Sequence, residues 1–319
     1  MDPFSGLIAP HVVIVAGKGG VGKTTVTAAV ASAAANRGRR VLVVELDGKP
    51  TLGQWLDGVD GVEVMTISAS EALDEYLRDQ GFARIARRLS ATGVIDVVGT
   101  AAPGIDDLVV LGRIKALERA GDHDLIVVDG PAAGHALTML TAASGLGESV
   151  DSGPVRTQAD EVRALLGDPT RCQVVLVTIA ETTPVNEIVE TAYEIEDRVG
   201  VQLGPVVVNL VEPAAIAAGG RPERGDDEPV ATEVLRAVDT AHHDGRIDAD
   251  QAEALTAVVE FAATRAEMQR AELARLRERL ALPVVVLPGL AGPDHIAALA
   301  RWLVEGADAG RDDRGAADD

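Results

Sequence analysis

A nine-residue segment near the amino end carries the residue types that bind phosphate. This segment, GKGGVGKTT at residues 17–25, lies between an apolar run and an alanine-rich stretch, so a strand before it and a helix after it are predicted. Glycines let successive backbone N–H groups turn inward around an anion, and the helix points its positive dipole end at the same place. The spacing of Gly17, Gly22, Lys23 and Thr24 is the phosphate-loop pattern and predicts a nucleoside triphosphate site.

The remaining residues of the loop follow from this pattern. Lys23 is expected to reach the β and γ phosphates of ATP, the Thr24 hydroxyl to ligate Mg²⁺, and Thr25 to reach the α phosphate. Backbone groups complete the cradle, from Gly17, Lys18, Gly19, Gly20, Val21 and Gly22. The alternative is a glycine-rich turn that holds no ligand.

Lys18 is not required by an ordinary phosphate loop. Four of the 29 basic residues are lysines and two of these lie in the loop, which favours a compact ammonium over a planar guanidinium. A lysine directly after the first glycine resembles the deviant Walker A signature of the group that contains ArsA, MinD, ParA and the nitrogenase reductase. In that group the lysine acts on the partner's nucleotide, as an arginine finger does, which implies a nucleotide-dependent dimer. A solvated lysine is the alternative.

Polar residues that end predicted strands form a second set of candidates. Continuous apolar runs separated by helical stretches predict a parallel sheet wrapped by helices, with ligands at the carboxyl ends of the strands. The predicted strands are residues 11–16, 41–45, 62–67, 125–129, 174–179, 206–209 and 284–287. Asp129 is predicted to hold Mg²⁺, directly or through water, and Asp47 to orient or deprotonate the attacking water. Asn209 is predicted to pair with the edge of adenine. Helix caps and turns are the alternatives for these three residues.

Composition limits the classes of function. The chain has 319 residues, 47% of them apolar, and a net charge of −21 that opposes binding to nucleic acid or to an anionic membrane surface. It shows no integral membrane segment and no signal-peptide pattern, so we expect a cytoplasmic protein. The single cysteine, Cys172, is expected to be buried. One thiol excludes a CxxC zinc clasp, a two-cysteine iron–sulfur ligand set and a three-thiolate arsenite site within this chain.

With these residues in place, the chain resembles the ArsA family of ATPases, above all its bacterial anion-transporting ATPase-like paralogues. DGPAAGH at residues 129–135 is similar to the family's switch II, and LPGLAGP at 287–293 to its loop over adenine, with Pro288 as the matching proline. The resemblance runs from about residue 11 to about residue 303. It implies an α/β P-loop NTPase whose mostly parallel sheet is wrapped by helices.

The resemblance also implies how the chain is organised and what it does. A single domain at residues 1–305 would carry helical insertions around switch II, at roughly 68–120 and 135–170, and the acidic tail at 306–319 is predicted to be disordered. The implied activity is hydrolysis of ATP to ADP and phosphate with Mg²⁺, in a homodimer or in a heterodimer with an ArsA-like paralogue. Asp129 and Gly134 would report the γ phosphate to helices that bind an unknown client or membrane complex.

Departures from the family pattern leave other functions open. Switch I usually reads STDPA, whereas residues 45–49 read ELDGK, so the aspartate Asp47 is kept and the proline is lost. Lys49 is either close to a phosphate or solvated. A positioning ATPase of the MinD or ParA kind is one alternative, and a nucleotide-binding module with little turnover is another.

The carboxyl third of the sequence carries weaker signals. Residues 219–232 are predicted to be a charged linker, and residues 248–282 a helix packed in the core. The candidate apolar positions of that helix are Leu255, Val259, Ala262, Ala266, Leu273, Leu276 and Leu280. His242 and His243 are expected in a turn, with a metal pair as the less favoured interpretation.

Overall fold

The computed structural model describes residues 3–46, 51–82, 104–217 and 230–315 of the chain. The predicted site residue Asp47, its neighbour Lys49 and most of the linker predicted at 219–232 lie outside the described residues. None of the helices in these described ranges combines the length and the apolar character needed to cross a membrane.

A parallel β-sheet forms the centre of the fold. Its strands are β1 (Val12–Gly17), β2 (Val41–Glu45), β3 (Val62–Thr66), β4 (Leu125–Ala132), β5 (Cys172–Ile179), β6 (Gln202–Leu203), β7 (Val206–Val211) and β8 (Val284–Pro288). They lie in the order β3, β2, β4, β1, β5, β7, β8, with β6 paired to β5, and every pairing is parallel. The predicted α/β fold class is confirmed. The sequence analysis missed β6, because two residues carry no hydrophobic pattern.

The central strand β1 is built for burial on both faces. Its sequence VVIVAG is apolar throughout, and all six residues are buried. Successive side chains of a strand point to opposite faces, so Val12 and Ile14 join one hydrophobic core whereas Val13 and Val15 join the other. Because β1 lies between β4 and β5, the loop that follows it opens at the middle of the sheet's carboxyl edge.

Helices cover both faces of the sheet. In chain order they are α1 (Pro3–Leu7), α2 (Lys23–Asn36), α3 (Thr51–Trp55), α4 (Ala69–Asp79), α5 (Ile105–Ala120), α6 (Ala133–Ser149), α7 (Pro154–Leu166), α8 (Thr182–Arg198), α9 (Pro213–Ala217), α10 (Val230–His243), α11 (Ala249–Arg279) and α12 (His295–Gly315). Val26 of α2 and Leu299 of α12 lie in the core that contains Val13, whereas Leu108 of α5 and Met139 of α6 lie in the core that contains Ile14.

Helices occupy both stretches in which insertions are predicted. α4 and α5 lie within residues 68–120, and α7 with most of α6 within 135–170. The buried Lys115 of α5 donates a hydrogen bond to Gln158 Oε1 at 2.8 Å and forms an ion pair with Glu161, both on α7. A buried ammonium is costly unless it is paired, so these contacts tie α5 to α7.

The long helix α11 differs from the prediction in its first half. Ala266, Leu273, Leu276 and the following Leu280 join the core as predicted. Leu255 does not, since it is 44% exposed. The correction has a physical reason: α10 runs into α11 through a short turn, so the first half of α11 packs beside α10 instead of against the sheet.

The carboxyl end and the histidine pair also differ from expectation. α12 continues to Gly315, so residues 306–315 of the tail predicted to be disordered at 306–319 are helical, although their many glycines and aspartates are poor helix formers. His242 and His243 form the last residues of α10, directly before the turn. Within the described residues no group of three or more His, Cys, Asp or Glu side chains is arranged to hold a metal ion.

Candidate nucleotide site

The predicted phosphate loop joins the end of β1 to the start of α2. At Gly17 an added Cβ would lie 2.2 Å from the Val177 carbonyl oxygen, so only glycine fits against β5. Gly22 has a φ of 87°, and an added Cβ there would lie 2.3 Å from Asn209 Nδ2. Gly17 is therefore required by the close approach of β5, and Gly22 by its left-handed backbone conformation beside the Asn209 side chain. The loop adopts the strand–loop–helix context that the motif needs.

The amino end of α2 is available to an anion. Its capping residue, Gly22, offers no side chain, so the first N–H groups of the helix have no side-chain acceptor. Lys23 Nζ donates a hydrogen bond to the backbone oxygen of Lys18 at 3.3 Å, which places the ammonium over the loop. Together the helix dipole, the N–H groups and the ammonium make a site for negatively charged oxygens.

Thr24 and Asp129 meet beside this loop. Thr24 Oγ1 donates a hydrogen bond to Asp129 Oδ2 at 2.8 Å, and Thr27 Oγ1 donates one to Asp129 Oδ1 at 3.2 Å. A hydroxyl and a carboxylate are the hard oxygen ligands that Mg²⁺ prefers, and Mg²⁺ takes its other ligands from phosphate and water. The donor set therefore fits Mg²⁺. The sequence analysis missed Thr27, although its position one helical turn after Thr24 was a usable signal.

Asn209 is buried against the phosphate loop. Its side chain is 1% exposed, and Nδ2 donates a hydrogen bond to the Val21 carbonyl oxygen at 3.0 Å. Asn209 Oδ1 is buried without a hydrogen-bond partner among the described residues. Because a buried acceptor left unpaired is costly, this oxygen is a natural partner for an amino group such as that of adenine.

Pro288 lies at the same edge of the sheet as Asn209. It is the last residue of β8 and pairs with Val211, and the next residue, Gly289, donates its backbone N–H to the Val211 oxygen at 3.0 Å. The structure thus brings the end of β8 beside the turn that follows Asn209.

A cavity of about 310 Å³ lies beside the phosphate loop, on the side of α8. Its lining includes Lys18 and Gly19 of the loop, Gly134 in the first turn of α6, and Glu187 of α8. Lys18 Nζ lies 2.6 Å from Glu187 Oε1. Gly134 and the predicted cross-acting lysine therefore share one cavity, and the sequence analysis missed Glu187.

Asp47 lies outside the described residues, so only the preceding residues indicate where the chain enters this position. Glu45, the last residue of β2, is buried and stands opposite Asp129 in the register of β2 and β4. The chain therefore leaves β2 at the sheet edge where Asp129 lies, two residues before Asp47.

Burial raises the pKa values of two titratable groups, Asp107 and Cys172. Burial raises the pKa of Asp107, near the start of α5, and His135 at 3.8 Å opposes this shift. Complete burial raises the pKa of the Cys172 thiol to about 12, which confirms the expected buried cysteine. Asp107 and His135 link α5 to the segment that follows Asp129.

This fold and site define a P-loop nucleoside triphosphatase, with the loop after the central strand of a parallel sheet and an aspartate beside the loop threonine. Residues 10–152 match the sequence model of the family described as "Anion-transporting ATPase". The "ATPase BagA" of Mycobacterium tuberculosis (strain ATCC 25618 / H37Rv) is 31% identical over 299 residues, which cover 86% of each chain. The chain belongs to this family, the ArsA family, and is an ATPase by that membership.

More distant similarity extends to two arsenical pump proteins. The "Arsenical pump-driving ATPase" of Escherichia coli is 28% identical over 204 residues, 62% of this chain and 34% of that protein. The "Putative arsenical pump-driving ATPase" of Halobacterium salinarum is 27% identical over 225 residues, 62% of this chain and 35% of that protein. The matched regions thus span about a third of these two relatives.

Proposed function

We propose that this chain is a Mg²⁺-dependent ATPase that works as a dimer, hydrolyses ATP to ADP and phosphate, and uses the nucleotide cycle to move helices that bind a client or a membrane complex. The observation that carries the proposal is the 2.8 Å hydrogen bond from Thr24 to Asp129, which joins the phosphate-loop hydroxyl to a carboxylate of β4 that is 105 residues away. The expected location remains the cytoplasm.

The site residues have distinct tasks in hydrolysis. Lys23 and the first N–H groups of α2 hold the β and γ phosphates, and Thr24 with Asp129 would hold Mg²⁺. When bound, Mg²⁺ supplies positive charge that stabilises the phosphoryl group during in-line displacement. Asp47 orients the attacking water or accepts its proton, a task supported by the register of Glu45 opposite Asp129.

In the proposed mechanism, Lys18 links dimerisation to ATP hydrolysis. Its side chain is 47% exposed, so the ammonium can separate from Glu187 and extend to a second subunit. An ammonium that enters the partner's site stabilises charge on the transferring phosphoryl group, as an arginine finger does. The partner is a second copy of the chain or an ArsA-like paralogue.

Coupling to a client runs through α6. β4 ends at Ala132 and α6 begins at Ala133, so no flexible loop separates the strand of Asp129 from this helix. Gly134 lies in the first turn of α6, and α6 packs against α5 and α7. A displacement beside the γ phosphate would therefore pass directly into the helical region.

We do not propose arsenite as a ligand of this chain, although two relatives are named arsenical pump-driving ATPases. The chain has one cysteine, Cys172, and it is buried. A three-thiolate site for arsenite cannot be built from one buried thiol.

Phosphate release by the purified full-length chain tests the proposal. We expect Mg²⁺-dependent hydrolysis of ATP that falls at least about hundredfold in Lys23→Ala, whereas Arg246→Ala, which removes an exposed cation from the turn between α10 and α11, keeps it. Nucleotide binding without turnover, alone and with a candidate paralogue, would contradict the enzyme and favour a binding module. Nucleotide-dependent binding to vesicles or DNA would favour a positioning ATPase of the MinD or ParA kind.

A further inference from the structure

β7 is irregular near its end, where its pairing with β8 shifts register, and the backbone turn at this point contains a leucine in an unfavourable conformation. Leu210 has a φ of 57°, and it is the one non-glycine residue with positive φ among the described residues. A side chain with a Cβ is crowded in this region, so surrounding contacts must hold such a residue in place. Leu210 directly follows Asn209, and its backbone lies 3.6 Å from the position of a Cβ added at Gly289. The turn therefore separates Asn209 from the end of β8.

Gln269 of α11 holds both sides of this turn. Gln269 Nε2 donates a hydrogen bond to the Leu210 carbonyl oxygen at 3.2 Å, and Gln269 Oε1 accepts one from the Glu212 N–H at 2.7 Å. The Gln269 side chain is 3% exposed, so water does not compete for these bonds. One helical turn earlier, Arg265 Nε lies 3.2 Å from Glu212 Oε1. α11 thus contacts this turn through two side chains, Gln269 and Arg265.

The geometry points to Gln269 as a positioning residue for recognition of the base. By fixing the left-handed backbone at Leu210, Gln269 keeps the Asn209 amide against the phosphate loop. It thereby also fixes the spacing between Asn209 and the end of β8. Gln269 itself does not touch the nucleotide. This inference rests on the proposed function, since it requires adenine to bind between Asn209 and the end of β8.

Calorimetry with Mg²⁺-ATP and with Mg²⁺-tripolyphosphate distinguishes the contribution of the base to affinity from that of the phosphates. In Gln269→Met, which keeps the side-chain length and removes both hydrogen bonds, ATP affinity is expected to fall about three- to tenfold. Tripolyphosphate affinity is expected to change less than about twofold, because the phosphate loop is untouched. Glycine adopts positive φ without crowding, so adding Leu210→Gly to Gln269→Met is expected to restore most of the ATP affinity.

A second buried residue of α11 serves as the control. Leu273→Ala removes core packing one turn beyond Gln269 without removing a bond to the turn, so it lowers the unfolding temperature and leaves the ratio of the two affinities unchanged. The inference is overturned if ATP and tripolyphosphate affinities fall together in folded Gln269→Met, if neither falls, or if Leu210→Gly restores nothing. A wild-type chain that binds neither ligand would instead refute the proposed function.

Discussion

Lys18 and Glu187 form an ion pair within one chain, with Lys18 Nζ 2.6 Å from Glu187 Oε1. Lys18 belongs to the phosphate loop and Glu187 to α8, and 169 residues separate them in the sequence. The two side chains are 47% and 42% exposed, and exposed pairs of this kind contribute about 0.2–1 kcal/mol. Under the proposed function, an ion pair this weak would hold Lys18 on its own chain until a partner presents a triphosphate.

Removal of the Glu187 charge should make dimer-dependent hydrolysis easier. In Glu187→Gln the ion pair is lost, so Lys18 is free before the partner arrives. The protein concentration at half-maximal ATPase activity is expected to fall about two- to fivefold. A titration of the protein at saturating Mg²⁺-ATP measures this concentration.

Glu190→Gln is the matched control for Glu187→Gln. Glu190 lies on the same helix and lines the same cavity, but it makes no ion pair with Lys18 in the described structure. Its effect should be much smaller. In the Lys18→Ala background, Glu187→Gln should change nothing, and a persisting effect there would show that Glu187 does not act through Lys18.

Action of Lys18 on the partner can be tested by mixing two inactive variants. Lys18→Ala keeps its own phosphate site, whereas Lys23→Ala keeps the lysine that it donates. A mixed dimer therefore contains one complete site, and about a quarter of wild-type activity is expected when the subunits combine at random. Steady-state phosphate release from the mixture gives the answer. Lys18→Ala with undiminished activity by itself would contradict the role assigned to this residue.

The two threonines that contact Asp129 should differ in their effects. Thr24→Val removes the hydroxyl expected to ligate Mg²⁺, so hydrolysis should fall at least about tenfold and require more Mg²⁺. Thr27→Val removes only the 3.2 Å hydrogen bond to Asp129 and should cost less than about threefold. Hydrolysis rates measured across a range of Mg²⁺ concentrations compare the two. Equal loss in both variants would argue that Thr24 only orients Asp129.

The partly buried Asp107 predicts an unusual dependence of stability on pH. Burial raises its pKa above 3.8, so its contribution to stability is full below pH 3.8 and is lost as the pH rises through the raised value. Asp107→Asn stays neutral, so we expect it to raise the Tm at pH 7 by about 1–3 °C, with the gain disappearing toward pH 4. Thermal unfolding between pH 4 and 8 measures the difference. A gain independent of pH would have another cause.

Glu118 supplies the comparison of opposite sign. The Arg171 guanidinium donates hydrogen bonds to both of its carboxylate oxygens, at 2.9 and 2.7 Å, and lowers the pKa of Glu118 below 4.5. This stabilisation is present above pH 4.5 and is lost as the pH falls through the lowered value. Glu118→Gln should therefore lower the Tm at pH 7, with a difference that shrinks in acid.

Much of the fold could be read from the sequence because its signals are local. Seven of the eight described strands were predicted within a few residues, because most of them are apolar runs of buried residues, although β3 (VEVMT) is only partly buried. The first half of α11 was assigned to the core in error, because periodicity shows that a helix has an apolar side and not what covers that side. Leu255 is the clearest example, at 44% exposure.

The sequence alone identified the phosphate loop, its lysines, and Asp129 and Asn209 in two of the strands, because residue type and spacing along the chain define the motif. Only the tertiary structure decided their partners. Asn209 meets Val21 across 188 residues, and Gln269 reaches Leu210 from another element. Such contacts depend on strand register and helix packing, which arise when the whole chain folds and leave no trace in local spacing.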